Sequence, residues 1–207
     1  MLTQYIHHYP ALGKGDEFRA LLRDRVSGRN DRGSRHSLRI RVMAPENEAL
    51  VVILHESLSA MQSYRAGNAA DDGFPAFMAK IEAVIAHQPV NELWDVIAPA
   101  STTEGAGYAW RSRMYPASPD AGSNLMVLLA EQHEALEANG VACGISTQLF
   151  APEGEAYEIV LYLRDLVAVD KHVRTTFDVD WLQRVSELSR LPVAQALYQI
   201  AIPLPER

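Results

Sequence analysis

Cysteine is almost missing: Cys143 stands alone among 207 residues. A single thiol closes no disulfide within the chain and offers no zinc constellation, so a reducing, cytoplasmic setting is expected. Basic charge is also short, with 19 Lys and Arg against 26 Asp and Glu, a formal net charge of −7 and a pI near 5.5. That balance argues against a whole-protein footprint for nucleic acid or an anionic membrane. No run approaches 18 uninterrupted apolar residues, and the opening Met1-Leu2-Thr3-Gln4-Tyr5-Ile6-His7-His8 lacks the basic stretch and apolar run of an export signal. Neither secretion nor membrane spanning is expected. HExxH, HxH, clustered carboxylates, a P-loop and a Gly-x-Ser-x-Gly elbow are all missing, so no metal motif and no nucleophile motif is read. What is present, 48% apolar and 22% charged residues, suffices for a core without staples in one large or two small domains.

The strongest positive signal is internal repetition. Tyr9-Pro10-Ala11 recurs as Tyr115-Pro116-Ala117, and Ala44-Pro45-Glu46-Asn47-Glu48-Ala49 as Ala151-Pro152-Glu153-Gly154-Glu155-Ala156. Leu58 and Ala60 match Leu166 and Ala168, while Phe77, Ile81 and Val84 match Trp181, Val185 and Leu188. Pro89-Val90 pairs with Pro192-Val193, and Leu93 through Pro99 with Leu197 through Pro203. Anchors in one order with offsets between 103 and 108 point to duplication. The reading is a first repeat over 1–99, a linker over 100–107 and a second repeat over 108–207.

Each half carries the same sequence of periodicities. Residues 3–9 read as a strand, followed by helical spacing of Phe18, Leu21 and Leu22 behind Gly15-Asp16, and of Leu125, Leu128, Leu129 and Leu136 behind Ser123. Two extended runs, Ser37–Met43 and Leu50–Glu56, flank the Ala-Pro-Glu-Asn-Glu turn and form a hairpin. A second helical region is broken at Asp71-Asp72-Gly73-Phe74-Pro75 and near Asp178-Val179-Asp180, and a last strand closes each half at Leu93–Ala98 and Leu197–Ile202. This is β-α-β-β-α-β twice, an α+β chain of two ferredoxin-like units with antiparallel sheets.

The hairpin, the Glu56-Ser57-Leu58-Ser59-Ala60 start to a broken helix and the Phe77-to-Val84 amphipathic segment resemble the dimeric α/β-barrel superfamily, notably its NIPSNAP-like and antibiotic-biosynthesis-monooxygenase-like branches. The resemblance spans nearly the whole chain and is one of pattern. It implies two four-stranded sheets with helices on one face, their other faces meeting as a barrel within the chain or between chains. Members of the superfamily include cofactor-free oxygenases, isomerases and haem enzymes, so the fold does not choose a reaction.

Strand alternation sorts the side chains. Leu38, Ile40 and Val42 mark the helix-covered face, leaving Arg39, Arg41 and Met43 opposite; Trp110, Ser112 and Met114 likewise leave Arg111, Arg113 and Tyr115. In the second copy Cys143, Ile145, Thr147 and Leu149 leave Gly144, Ser146, Gln148 and Phe150. The repeat offsets add Tyr5, His7, Tyr9, His55, Tyr162, Glu158, Asp95 and Gln199 to the inner face. Two readings stay open. In one, the barrel interior binds an anionic or phenolic organic substrate, with His55 or His7 as acid–base groups and Arg39, Arg41, Tyr9, Asp95, Arg111, Arg113 and Tyr162 as substrate contacts, in a cofactor-independent oxygenase or isomerase. In the other, the same groups form a salt-bridged seam, Arg39 or Arg41 against Asp95 or Glu158, in a non-catalytic ligand-binding or interaction protein. His7 and His8 alternate across a strand and share no metal. No cofactor is expected; haem stays open because one axial histidine has no sequence signature.

The run from Arg19 to Arg41 holds eight arginines against Asp24 and Asp31. Without the aromatic strand signature of RNA-binding ferredoxin-like domains, it reads as a solvated helix face and polar loop. Bulky sheet residues such as Trp94, Trp110 and Tyr198 need covering, which leads to an expected homodimer.

Overall fold

A computed structural model of the chain describes residues 1–42, 48–151, 154–175 and 179–205. The elements are β1 (Leu2–His8), α1 (Gly15–Asn30), β2 (His36–Val42), β3 (Ala49–His55), α2 (Leu58–Ala69), α3 (Gly73–Glu82) and β4 (Val90–Ala98), then β5 (Tyr108–Met114), α4 (Pro119–Ala138), β6 (Cys143–Leu149), β7 (Tyr157–Leu163), α5 (Leu166–Thr175), α6 (Val179–Leu188) and β8 (Ala194–Ile202). The expected β-α-β-β-α-β order, with its broken second helix, is present twice. Hydrogen bonding runs β1-β3-β2-β8-β5-β7-β6-β4 and closes on itself, so the barrel closes within one chain. The hairpin-turn residues Ala44 to Asn47 and Pro152-Glu153, together with Met43 and Asp178, lie outside the described residues.

The chain divides into two compact units, Met1–Leu93 with Ala201–Arg207, and Trp94–Ile200. In the first, β1 and β2 both pair antiparallel with β3, His7 opposite Leu50 and Arg39 opposite Leu50. The β-branched run Val51-Val52-Ile53 suits this central position, where both neighbouring strands crowd it. Phe18, Leu22 and Val26 of α1 and Ile81 of α3 pack on Leu38, Ala49, Val51 and Ile53, all buried. Each such side chain contributes roughly 1.5–3 kcal/mol on leaving water. Ser57 caps α2 by accepting the Ala60 N–H at 3.1 Å.

In the second unit β7 is the central strand, paired antiparallel with β5 and β6. Leu125, Leu128, Leu129 and Leu136 of α4 pack on Met114, Ile145, Ile159 and Leu161. This helix begins at Pro119, four residues before the Ser123 start read from the sequence. Ser118 accepts the Ala121 N–H at 3.2 Å and Pro119 presets the first turn, a cap that the leucine spacing alone does not reveal. Gly107, at the end of the predicted linker, is required by space: a Cβ there would meet the Arg164 carbonyl oxygen at 2.6 Å.

Candidate functional site

Directly paired residues share a face, so the registers sort the first unit's strands without ambiguity. Leu38, Ala49, Val51 and Ile53 face the helices. Tyr5, His7, Arg39, Leu50 and Val52 therefore stand on the opposite, inner face, joined by Arg41 and Glu48 at its hairpin end. His7 Nδ1 lies 2.5 Å from Glu48 Oε1, and the second Glu48 oxygen accepts from Arg41 Nη1 at 2.8 Å. On the other side of the ring, His7 Nε2 lies 3.3 Å from Glu92 Oε2, near the start of β4. Side-chain exposure is 8% for His7, 2% for Glu48 and 11% for Glu92, against 37% for Arg41. A buried imidazole thus sits between two carboxylates, and the row reaches solvent through a guanidinium.

Burial pushes the Glu48 carboxyl up, but the His7 hydrogen bond and charge and the Arg41 contact outweigh it and hold the group below its ordinary value. Glu48 is therefore an ionised acceptor. It fixes the ring with Nδ1–H as donor, and Nε2 faces the Glu92 carboxylate. With His7 protonated, two carboxylates face two cations and the buried row is neutral.

In the second unit, Arg111 Nε donates to Glu158, the two groups being 4% and 0% exposed. The Arg111 and Arg113 guanidinium carbons stand 5.2 and 5.0 Å from the Trp94 ring centroid. Arg113 opposes Glu158, and Ala109 opposes Tyr162, so Arg111, Arg113, Glu158 and Tyr162 share one face as expected. This cluster holds an ion pair and an aromatic platform without an imidazole.

Several expected placements are corrected. His55 lies on the helix-covered face with Ala49, Val51 and Ile53, where its Nε2 is 3.1 Å from Gln4 Oε1 and its ring packs 5.5 Å from Tyr64 of α2. Burial, then the Arg65 charge, lowers its pKa. Gln199 opposes Tyr108 and joins the helix-covered face of β5. Trp94 and Glu92 take the inner positions of β4, so alternation turns Asp95 the other way. Tyr9 falls one residue beyond β1, beside His87 at 4.5 Å between ring centroids. Phe150 is 86% exposed in the turn after β6, with φ of 57°. Glu48 and Glu92, which complete the His7 row, were not among the expected site residues. Glu48 read as part of a turn, and β4 read as starting at Leu93; alternation carried two residues back from Trp94 points to Glu92.

No family model and no curated protein matches the chain. Solved structures match its fold. A candidate monooxygenase from Fusobacterium nucleatum aligns over 100% of this chain and 94% of its own, with a TM-score of 0.75 at 10% identity. Another from Lactobacillus acidophilus covers 99% of this chain and 97% of its own, with a TM-score of 0.71 at 13% identity. An anthrone oxidase-like protein covers 97% and 91%, with a TM-score of 0.66 at 12% identity. At these identities the likeness establishes the fold, a dimeric α/β-barrel carried as two units in one chain. Among the described residues no helix is long and apolar enough to cross a membrane. The two candidate imidazoles do not fit an axial haem ligand: both His7 nitrogens face carboxylates, and His55 stands under α2.

Proposed function

We propose that the chain is a small-molecule enzyme of the monooxygenase kind, acting on an anionic or phenolic organic substrate. The observation that carries this is the buried Glu92–His7–Glu48–Arg41 row. His7 Nε2 takes a proton from an acidic O–H or C–H and the electron pair stays on the substrate, while the partly exposed Arg41 guanidinium, beyond Glu48, supplies positive charge that draws an anionic substrate to the row. Glu48 orients the imidazole and stabilises its protonated form, as the carboxylate of a catalytic triad does. Glu92 offers the onward acceptor. With dioxygen as oxidant, the substrate anion supplies the electrons; without it, return of the proton at another atom is an isomerisation. The names of the matched structures, two candidate monooxygenases and an anthrone oxidase-like protein, favour the first course. The second reading, a salt-bridged seam in a non-catalytic ligand-binding protein, is favoured in the second unit by the fully buried Arg111–Glu158 pair.

A thermal-shift screen of phenols and aromatic acids tests the first reading, because a ligand stabilises by an amount set by its concentration over Kd. Hits are then followed with an oxygen electrode and by product analysis. His7→Gln is expected to lower turnover by about 100-fold or more while the hit still binds. Arg41→Met is expected to weaken binding of anionic hits. An empty screen, or a His7→Gln protein that turns over like the parent, overturns the proposal.

A further inference from the structure

Read along the chain, Cys143 has no zinc constellation; the fold builds one around it. Cys143 opens β6 with its thiol fully buried, and His133 and Glu137 stand one turn apart on α4 above it. A ring nitrogen of His133, a carboxylate oxygen of Glu137 and Cys143 Sγ all lie within 4.8 Å of one another. Around a tetrahedral zinc ion, ligand atoms are about 3.4–3.6 Å apart, so closing the set takes rotamer adjustments of about 1 Å. Glu137 is already aimed: its Oε1 accepts the backbone N–H of Cys143 at 2.8 Å and of Ser101 at 3.2 Å, and the Ser101 side chain also bonds the carboxylate, which holds it beside the thiol. His133 Nε2 is enclosed and has no hydrogen-bond partner among the described residues. Orphaned buried ring nitrogens are uncommon and call for an explanation.

The duplicated unit supplies an internal control. The offset of 107 that sets Phe18 on Leu125 and Leu22 on Leu129 also sets Val26 on His133, Asn30 on Glu137 and His36 on Cys143. In the first unit Val26 is an ordinary core residue, and the Asn30 amide ties α1 to β2 by accepting the His36 N–H at 2.8 Å and donating to the His36 carbonyl at 2.9 Å. A neutral amide and an apolar neighbour thus perform the helix-to-strand tie. The second unit makes the same tie with a carboxylate, and places an imidazole and a thiol beside it. Neither the tie nor the packing requires that set.

We propose that His133, Glu137 and Cys143 bind one borderline-soft divalent cation, zinc or a cation of its kind, fastening the end of α4 to the start of β6. The mixed nitrogen, oxygen and sulfur set suits zinc or cobalt(II) over magnesium or calcium, which prefer all-oxygen shells. His133 and Glu137 are half-buried, so the ion enters from the helix side and water completes its coordination. Binding converts the Cys143 thiol to thiolate, the proton leaving to solvent.

The test uses the full chain, stripped with a chelator and titrated with cobalt(II). One equivalent is expected to bind, with the near-ultraviolet thiolate-to-cobalt charge-transfer band of a Co–S bond, and zinc is expected to displace it and raise the melting temperature. Cys143→Ser is expected to lose the band. His133→Val, which restores the first unit's residue at a half-exposed helix position and so guards against simple misfolding, is expected to weaken binding at least about tenfold. Absence of stoichiometric uptake by the parent, or binding unchanged in His133→Val with the band retained in Cys143→Ser, overturns the proposal.

Discussion

At the scale of single residues, the histidines outside the His7 row do structural work that pH exposes. His8 points under α1, 5.7 Å from the Phe18 ring, and burial followed by the His7 charge lowers its pKa to about 4. His36 faces the Tyr64 hydroxyl at 3.0 Å; burial, then the charges of Arg29, His55 and Arg25, lowers it to about 4 as well. Both are neutral in the folded protein at pH 7, whereas unfolding returns them to an ordinary value near 6.5. Between pH 6.5 and 4 the unfolded chain binds the extra protons, so acid favours unfolding in that window. Stability is present in full above pH 6.5 and falls as pH drops, by at most about 3 kcal/mol per histidine, levelling near pH 4 where Glu48 begins to add its own loss. Urea unfolding measured at half-unit steps from pH 7.5 to 4 is expected to show this slope, and His8→Leu is expected to remove part of it. A stability flat from pH 7 to 5 would contradict the burial of both rings.

Elements decide which side chains meet, and here one residue of chain length separates the expected site from the observed one. The connection between β2 and β3 spans residues 43–48, while that between β6 and β7 spans residues 150–156, one residue longer. The turn motif aligns Ala49 with Ala156, but the strands align Ala49 with Tyr157; carrying the turn's offset into the strand pairs His55 with Tyr162 and flips it to the wrong face. The opening strands carry no such insertion, so Arg111 and Arg113 were legible on the inner face, and with them Tyr5 and His7. The order of elements was legible because it rests on periodicity repeated twice, whereas Glu48 lies in the connection one residue before β3, where alternation has no length to run, and Glu92 lies before Leu93, where the sequence pattern starts the last strand although β4 begins at Val90. The same register separates the two arginine pairs energetically. Arg111→Met removes the buried guanidinium whose Nε donates to the fully buried Glu158, and is expected to cost about 3 kcal/mol and to lower Tm in thermal denaturation. Arg41→Met, whose guanidinium is 37% exposed and whose partner Glu48 keeps His7, is expected to cost about 1 kcal/mol or less. Equal losses in the two variants would place both pairs in one structural seam and remove Arg41 from any binding role.

For the whole molecule, the ring of hydrogen-bonded strands bears on assembly. The expected homodimer rests on sheet faces in need of cover, and in a barrel made by two chains that cover comes from the partner. In the strand order of the described residues each of the eight strands has a neighbour on both sides, so none presents a free edge to a second copy. Trp94 and Tyr198, two of the bulky residues behind that expectation, are 0% and 2% exposed within the single chain. Exposed large apolar side chains among the described residues include Val127 on α4, the adjacent Leu166 and Val167 on α5, and Val90 and Ile97 on β4, a scatter that single chains carry without an interface. A closed single-chain barrel is therefore expected to run in multi-angle light scattering as a 23.0 kDa particle at micromolar concentration. Twice that mass, stable to dilution, would mean that a helix-borne interface exists. Charge substitution at Val127, on α4, and at Val167, on α5, would then show which helix carries it, by whichever change returns the particle to the mass of one chain.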